Sequence, residues 1–257
     1  MLAQAAPSSG LRPVNFTVDG VARTALVYVP PGTANGKLPL VFVFHGHGGS
    51  SHAAEAVFGI DRLWPQAISI YPQGLDSPGR LTDPEGKQPG WQREIGDQGD
   101  RDLHFFDAML AQLNADYPVD AERVYCTGHS NGGAFTFLLW LARPNVFAAV
   151  APSSSAASYV AQLTPKPALL LGGRADPLVK FEWQERVRSA LRKINGCSET
   201  GETWQGTAML YPSKTGTPLV TFTHDGGHAM TLEEPGLIVK FFQEYPVAPP
   251  TAPKSGL

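Results

Sequence analysis

The stretch Tyr125-Cys126-Thr127-Gly128-His129-Ser130-Asn131-Gly132-Gly133 decides how the rest of the chain is read. Residues 123–126 supply a strand and residues 134–142 an apolar helical run, so the segment between them is a tight strand-to-helix turn. Gly128 and Gly132 bracket Ser130 in the Gly-x-Ser-x-Gly spacing of a nucleophile elbow. The reason for that spacing is steric. A serine on a strained turn stands above the sheet only if the residues two before and two after it bring no bulk against strand and helix. The following helix then aims its first amides and its positive dipole end at any oxyanion formed there. The same five residues could also be an ordinary glycine-rich turn, so the remaining sequence has to decide.

Composition narrows the classes. A chain of 257 residues with 42% hydrophobic content supports one sizeable core in one domain. A formal charge of −3 without a basic run argues against a nucleic-acid partner, and no apolar stretch approaches the roughly 18 residues that read as a membrane span. Cys126 reads as a buried small hydrophobe and Cys197 as a turn residue; a bridge between them is unsupported. Residues 1–7 lack the apolar core of a secretory signal, and residues 1–13 read as an N-terminal tail. A secreted mature end and a cytosolic start both fit them.

Outward from the elbow, strands and helices alternate. Residues 14–19 and 23–29 flank Asp19-Gly20 as a hairpin, and residues 38–44 form a continuously apolar central strand. A short helix over 53–58 and a strand over 67–71 follow. From 74 to 99 periodicity is lost in a Gly-, Pro- and charge-rich loop whose one large aromatic is Trp91. Loops of that length inside a compact domain commonly line or cover a site. Residues 101–117 give an amphipathic helix with Leu103, Phe106, Met109, Leu110 and Leu113 on its stripe and Asp100 placed to cap it. Strands over 147–151, 167–171 and 219–223 alternate with helices over 181–194 and 237–242, and residues 246–257 form a Pro-rich tail. The expected architecture is a single-domain α/β fold over residues 14–245. It has a mostly parallel central sheet and helices on both faces, with polar loops gathered past the strand C-termini.

A serine hydroxyl needs a base and the base needs an orienting acid. In an α/β-hydrolase the order is serine, acid, histidine. Ser130 is followed by Asp176, just after a strand, and by His228, just after the last strand. His224 and Asp225 are rivals by proximity. The oxyanion hole takes one backbone donor from Asn131 and a second from the loop after residue 44, with His47 first and Gly48 next. His45 and His47 alone do not make a metal site, since neither a carboxylate nor a third histidine accompanies them at ligand spacing. No glycine turn matches a dinucleotide or P-loop pattern, and the hydrolytic reading needs no cofactor.

His45-Gly46-His47-Gly48-Gly49, Tyr71-Pro72-Gln73-Gly74, Trp91, Asp102 to Leu110 and Arg123 to Ala134 follow one another in a familiar order. The chain resembles the polyhydroxybutyrate depolymerase and feruloyl esterase family, relatives of carbohydrate esterase family 1, from about Val14 to Tyr245. The resemblance implies a secreted serine esterase with Ser130 as nucleophile, Asp176 as acid and His228 as base. It further implies an oxyanion hole at His47 and Asn131, and substrate contacts at Trp91, His129 and Gly48. The implied substrate is a small aromatic or acyl ester, which can be attached to polysaccharide, and the implied assembly is a monomer or weak dimer. Two departures stand out. His228-Ala229-Met230-Thr231 lacks the Trp and Pro-Gly of depolymerase-like members, and Tyr211-Pro212-Ser213 offers no cysteine to pair with Cys197. These tilt the expectation from polyester towards small aromatic or acetyl esters, with feruloyl (hydroxycinnamoyl) esters of plant cell-wall polysaccharide placed first. Polyhydroxyalkanoate or acetyl-xylan and short-chain esters come next, with an inactive hydrolase-fold binding module as the rival from another class.

Overall fold

A computed structural model describes residues 10–32 and 36–246. Ten strands form one twisted sheet in the order β1-β2-β4-β3-β7-β8-β9-β12-β11-β10. The central six are β4 (Ile68–Pro72), β3 (Leu38–Phe44), β7 (Val119–His129), β8 (Ala149–Ser153), β9 (Ala168–Gly173) and β12 (Leu219–His224), and all run parallel. Antiparallel pairs close each side: β1 (Gly10–Val18) with β2 (Val21–Val29), and β10 (Glu202–Gln205) with β11 (Ala208–Tyr211). Asp19 and Gly20 join β1 to β2 with φ of 51° and 79°. That pair of positive φ values is what a two-residue hairpin turn matching strand twist requires.

The alternation along β3 shows how the two layers form. Leu40, Phe42 and Phe44 enter a core with α3 (Arg101–Asp116), α4 (Asn131–Ala142) and α5 (Phe181–Ile194). Val41 and Val43 enter another with α1 (Ser51–Phe58), α2 (Ile60–Leu63) and α6 (Glu234–Glu244). Residues 40–44 are fully buried, as a strand covered on both faces must be. Ser50 caps α1 by accepting from Ala53 N at 3.1 Å.

Several elements differ from the sequence expectation. Residues 10–13, read as tail, belong to β1, while residues 1–9 and 247–257 of the expected tails lie outside the described residues. The strand read at 147–151 begins at Ala149 and runs to Ser153, because Pro152 is tolerated near a strand end. The short strands β10 and β11 at one side of the sheet were not legible, being four residues each and largely without alternation. The small ribbon β5 (Leu75–Asp76) and β6 (Pro89–Gly90) sits inside the loop over 74–99. Asp100 does not cap α3: its carboxylate accepts from Gly96 N (2.7 Å) and Gln92 Nε2 (2.8 Å). Gln92 caps instead, its Oε1 accepting from Asp102 N (3.0 Å) and Leu103 N (3.2 Å).

Cys126 and Cys197 are free thiols. Ser213 stands opposite Cys197 in an isolated bridge and donates its hydroxyl to Asn195 O. Thr215 and Thr217 reach the same carbonyl at 3.2 and 3.3 Å, so hydrogen bonds staple this edge where a disulfide is absent.

Candidate active site

Ser130 sits between β7 and α4 with φ 57° and ψ −116°, a conformation that costs on the order of 1–3 kcal/mol for a residue with a Cβ. Its N–H donates to Ser153 O at 3.0 Å, tying the turn to the neighbouring strand. The flanking glycines are required by contact. A Cβ on Gly128 would lie 2.5 Å from Gly132 C and O, and one on Gly132 would lie 2.2 Å from Phe44 O. β3, β7 and the first turn of α4 thus touch backbone to backbone, and the serine hydroxyl projects clear of them.

The loops after β9 and β12 bring two further side chains to that hydroxyl. His228 Nε2 lies 2.7 Å from Ser130 Oγ, and His228 Nδ1 lies 2.8 Å from Asp176 Oδ2. The second carboxylate oxygen of Asp176 accepts from Leu178 N and Val179 N, both at 2.9 Å. Two amides and the imidazole therefore fix a fully buried carboxylate in one orientation. The loops interlock because Gly173 is bare: a Cβ there would meet Gly226 O at 2.2 Å and Gly227 O at 2.3 Å. The rivals fall elsewhere. The Asp225 side chain is 97% exposed and faces Arg174 at 3.4 Å, while His224 Nδ1 accepts from Gly226 N at 3.1 Å and shapes the turn.

Asn131 is the first residue of α4, so its N–H has no intrahelical acceptor. Neither it nor His47 N–H meets a backbone acceptor among the described residues, and both residues line the cavity above Ser130. Gly48 is not placed to donate: its N–H is held by Pro89 O at 2.7 Å, because the ribbon of the long loop docks on it. The His47 imidazole lies 3.1 Å from Asp83 Oδ2, which also accepts from Gln88 N. A Cβ on either Gly79 or Gly90 would stand 2.6 Å from that ring, so the loop closes around His47 from both sides.

Trp91 was expected on the substrate side and is instead buried, 1% exposed. Its ring packs against Phe44, Phe135 and His45, and its indole N–H donates to His45 O at 2.9 Å. The Asn131 side chain bridges the Trp91 backbone, accepting from its N–H (2.7 Å) and donating to its carbonyl (3.1 Å). One residue thus presents an amide to the site and clamps the loop that walls it. Asn131→Ala is expected to lower stability by about 1–3 kcal/mol by stranding a part-buried amide and carbonyl. It should also open the loop over 74–99 to proteolysis, with urea unfolding and limited digestion as the measurements.

His129 does not face substrate either. Its Nε2–H donates to His228 O at 2.6 Å, bracing the histidine loop from behind the elbow. Burial, the largest cause, lowers its pKa from 6.5 to about 4. The unfolded chain therefore binds more protons than the folded one between those values, so the stability present above pH 6.5 is lost as pH falls towards 4. His129→Gln is expected to flatten that slope in chemical denaturation series run from pH 7 to pH 4.

The cavity holds about 550 Å³. Its floor is Ser130, Asn131 and Ala134, and its walls are Leu81, Val160, Leu178, Val179, Trp183 and Val187, with Arg80, Arg93 and Arg186 among them. The loop over 74–99 does line the site, through residues 79–82 and Arg93. The contribution of α5 was missed from sequence. The sequence marked residues 181–194 only as a helix, and nothing in it marked Trp183 and Arg186 as facing a cavity rather than solvent.

A mostly parallel sheet, a serine on the strained turn after a central strand, and acid and histidine loops after two later strands define an α/β-hydrolase. The family model described as esterase PHB depolymerase matches residues 23–192. The chain belongs to that family and is a carboxylic ester hydrolase. Among curated relatives it is 26% identical to feruloyl esterase D of Neurospora crassa, across 91% of this chain and 87% of that one. It is 27% identical to probable feruloyl esterase C of Aspergillus niger, across 76% and 72%. Among solved structures, an acetyl xylan esterase from Aspergillus awamori superposes with a TM-score of 0.67 at 14% identity, across 90% of this chain and 99% of that one. Among the described residues no helix is long and apolar enough to cross a membrane.

Proposed function

We propose that the chain hydrolyses feruloyl (hydroxycinnamoyl) esters of plant cell-wall polysaccharide through an acyl-enzyme on Ser130. The observation that carries the chemistry is the continuous line from Ser130 Oγ to His228 at 2.7 Å and from His228 to Asp176 at 2.8 Å, with Ser130 lining a cavity that has apolar walls. His228 Nε2 takes the serine proton as Oγ attacks the ester carbonyl, and Asp176 holds the ring with Nδ1–H towards itself. The carbonyl oxygen becomes an oxyanion between Asn131 N–H and His47 N–H. As the intermediate collapses, the C–O bond to the alcohol breaks and His228 returns the proton to that oxygen. Water then enters by the same route: His228 removes its proton, the hydroxide oxygen bonds the acyl carbon, and Ser130 Oγ leaves with the proton.

The substrate reading rests on the cavity and on the relatives. A bounded cavity with one aromatic wall at Trp183 suits a planar acyl group better than a flat strip for a polyester surface would. Relatives named feruloyl esterases align over most of this chain. Secretion and a monomeric or weakly dimeric state go with this reading. The test is ferulate release from methyl ferulate beside p-nitrophenyl acetate, with Ser130→Ala as control. The variant is expected to lose at least about 1000-fold on both. Release of acetate alone would overturn the feruloyl assignment and move it to acetyl or short-chain esters. Silence on both from folded protein would return the reading to a binding module.

A further inference from the structure

Nine of the chain's twelve arginines are held by another group of the protein. Arg23 bonds Asp102 at 2.8 Å and Arg143 bonds Asp107 at 2.5 Å, for example. The other three, Arg80, Arg93 and Arg186, have no side-chain hydrogen bond or ion pair among the described residues. All three line the cavity that holds Ser130. Arg80 and Arg93 come from two parts of the loop over 74–99, before and after β6, and Arg186 comes from α5, so no single helix face explains the grouping. Among the described residues no aspartate or glutamate lines the cavity to balance them. The chain as a whole carries −3, so this is a local excess of positive charge in a net acidic protein.

A cleft lined by one sign of charge with apolar walls concentrates its field and raises the encounter rate of the opposite charge. A guanidinium meets a carboxylate with two parallel N–H donors, a stronger and more directional contact than a neutral hydroxyl can give. We infer that the ester taken by this cavity carries a free carboxylate, seated beside Arg80, Arg93 and Arg186 while the ester carbonyl lies over Ser130. The inference rests on the esterase reading and narrows it. On the alcohol part, as in a feruloyl ester of a hydroxy acid or sugar acid, the carboxylate fits the feruloyl reading; on the acyl part, as in the half-ester of a dicarboxylic acid, it keeps the serine-esterase chemistry and replaces the feruloyl group.

The test uses pairs of similar size, one member of which carries a free carboxylate and the other none. Monomethyl adipate against methyl heptanoate probes the acyl side, and the ferulate ester of glycolic acid against the methyl ester of that compound probes the alcohol side. At low ionic strength the charged member of one pair is expected to have a kcat/KM about 10-fold higher than its neutral partner, shrinking severalfold in ~0.5 M salt. The pair that shows the preference identifies the side. The ratio should collapse in an Arg80→Gln/Arg93→Gln/Arg186→Gln variant and stay at the wild-type value in Arg62→Gln, an arginine remote from the cavity. If the triple variant does not fold, the three single variants and the wild-type salt series read the same ratio. Equal rates within both pairs, or a preference that survives loss of the arginines, overturns the carboxylate inference and leaves the esterase reading standing. Absence of any Ser130-dependent hydrolysis in all four esters overturns both.

Discussion

Asp176→Asn is expected to lower kcat about 10,000-fold at neutral pH while leaving the fold and KM nearly intact, as the same change does in other Ser-His-Asp enzymes. The structure says why the amide cannot substitute. Asp176 Oδ1 accepts from Leu178 N and Val179 N at 2.9 Å, so an asparagine must place its carbonyl oxygen there, because an NH₂ would face two donors. Its NH₂ then takes the Oδ2 position 2.8 Å from His228 Nδ1 and donates to it. The imidazole is forced to carry its proton on Nε2, facing Ser130 Oγ, and cannot act as base. The measurement is kcat from a full pH profile. A loss of less than about 10-fold would mean that Asp176 is not the orienting acid.

Gly132→Ala is the second large effect, and it acts through backbone rather than through chemistry. The added methyl would lie 2.2 Å from Phe44 O and 2.6 Å from His45 O, and neither carbonyl is the free end of a flexible side chain. Relief requires α4 to back away from β3, which shifts Asn131 N–H, Ser130 and the clamp on Trp91 together. Overpacking of this kind costs about 1–3 kcal/mol or more. A displacement of about 1 Å at the nucleophile is worth on the order of 100-fold in rate. A lowered urea midpoint with a loss of activity in the protein that remains folded is the expected pair of results. Gly206, at φ 56° with open space around a Cβ, offers the contrast: substitution there strains a turn without touching the site.

What was legible in the sequence follows from which constraints are local. The elbow could be read because its signature, two glycines flanking Ser130, lies within five residues, even though the demand at Gly132 comes from Phe44 O on the neighbouring strand. The strand over 38–44 could be read because burial on both faces leaves an unbroken apolar run. Ser130, Asp176 and His228 could be picked out as candidates because each follows a strand end, and the fold brings them within hydrogen-bond distance in a line. Trp91 could not be placed: a lone aromatic in a Gly- and Pro-rich loop carries no periodicity, and only the tertiary fold shows it packed between Phe44 and Phe135. The Asp100 cap failed because Gln92, eight residues earlier, takes the first amides of α3, a contact local windows do not contain. Gly48 looked like a donor by position, and the docking of Pro89 on its N–H is again long-range. The arginines of the cavity were invisible for the same reason, since two parts of the long loop and α5 converge only in the folded chain.

The most direct test of Ser130 as the nucleophile is covalent trapping with a fluorophosphonate. The expected result is one adduct per chain, on the peptide containing Ser130, formed rapidly by the wild-type protein and absent from Ser130→Ala. Folded wild-type protein that stays unlabelled, or an adduct that persists in the alanine variant, would contradict the assignment.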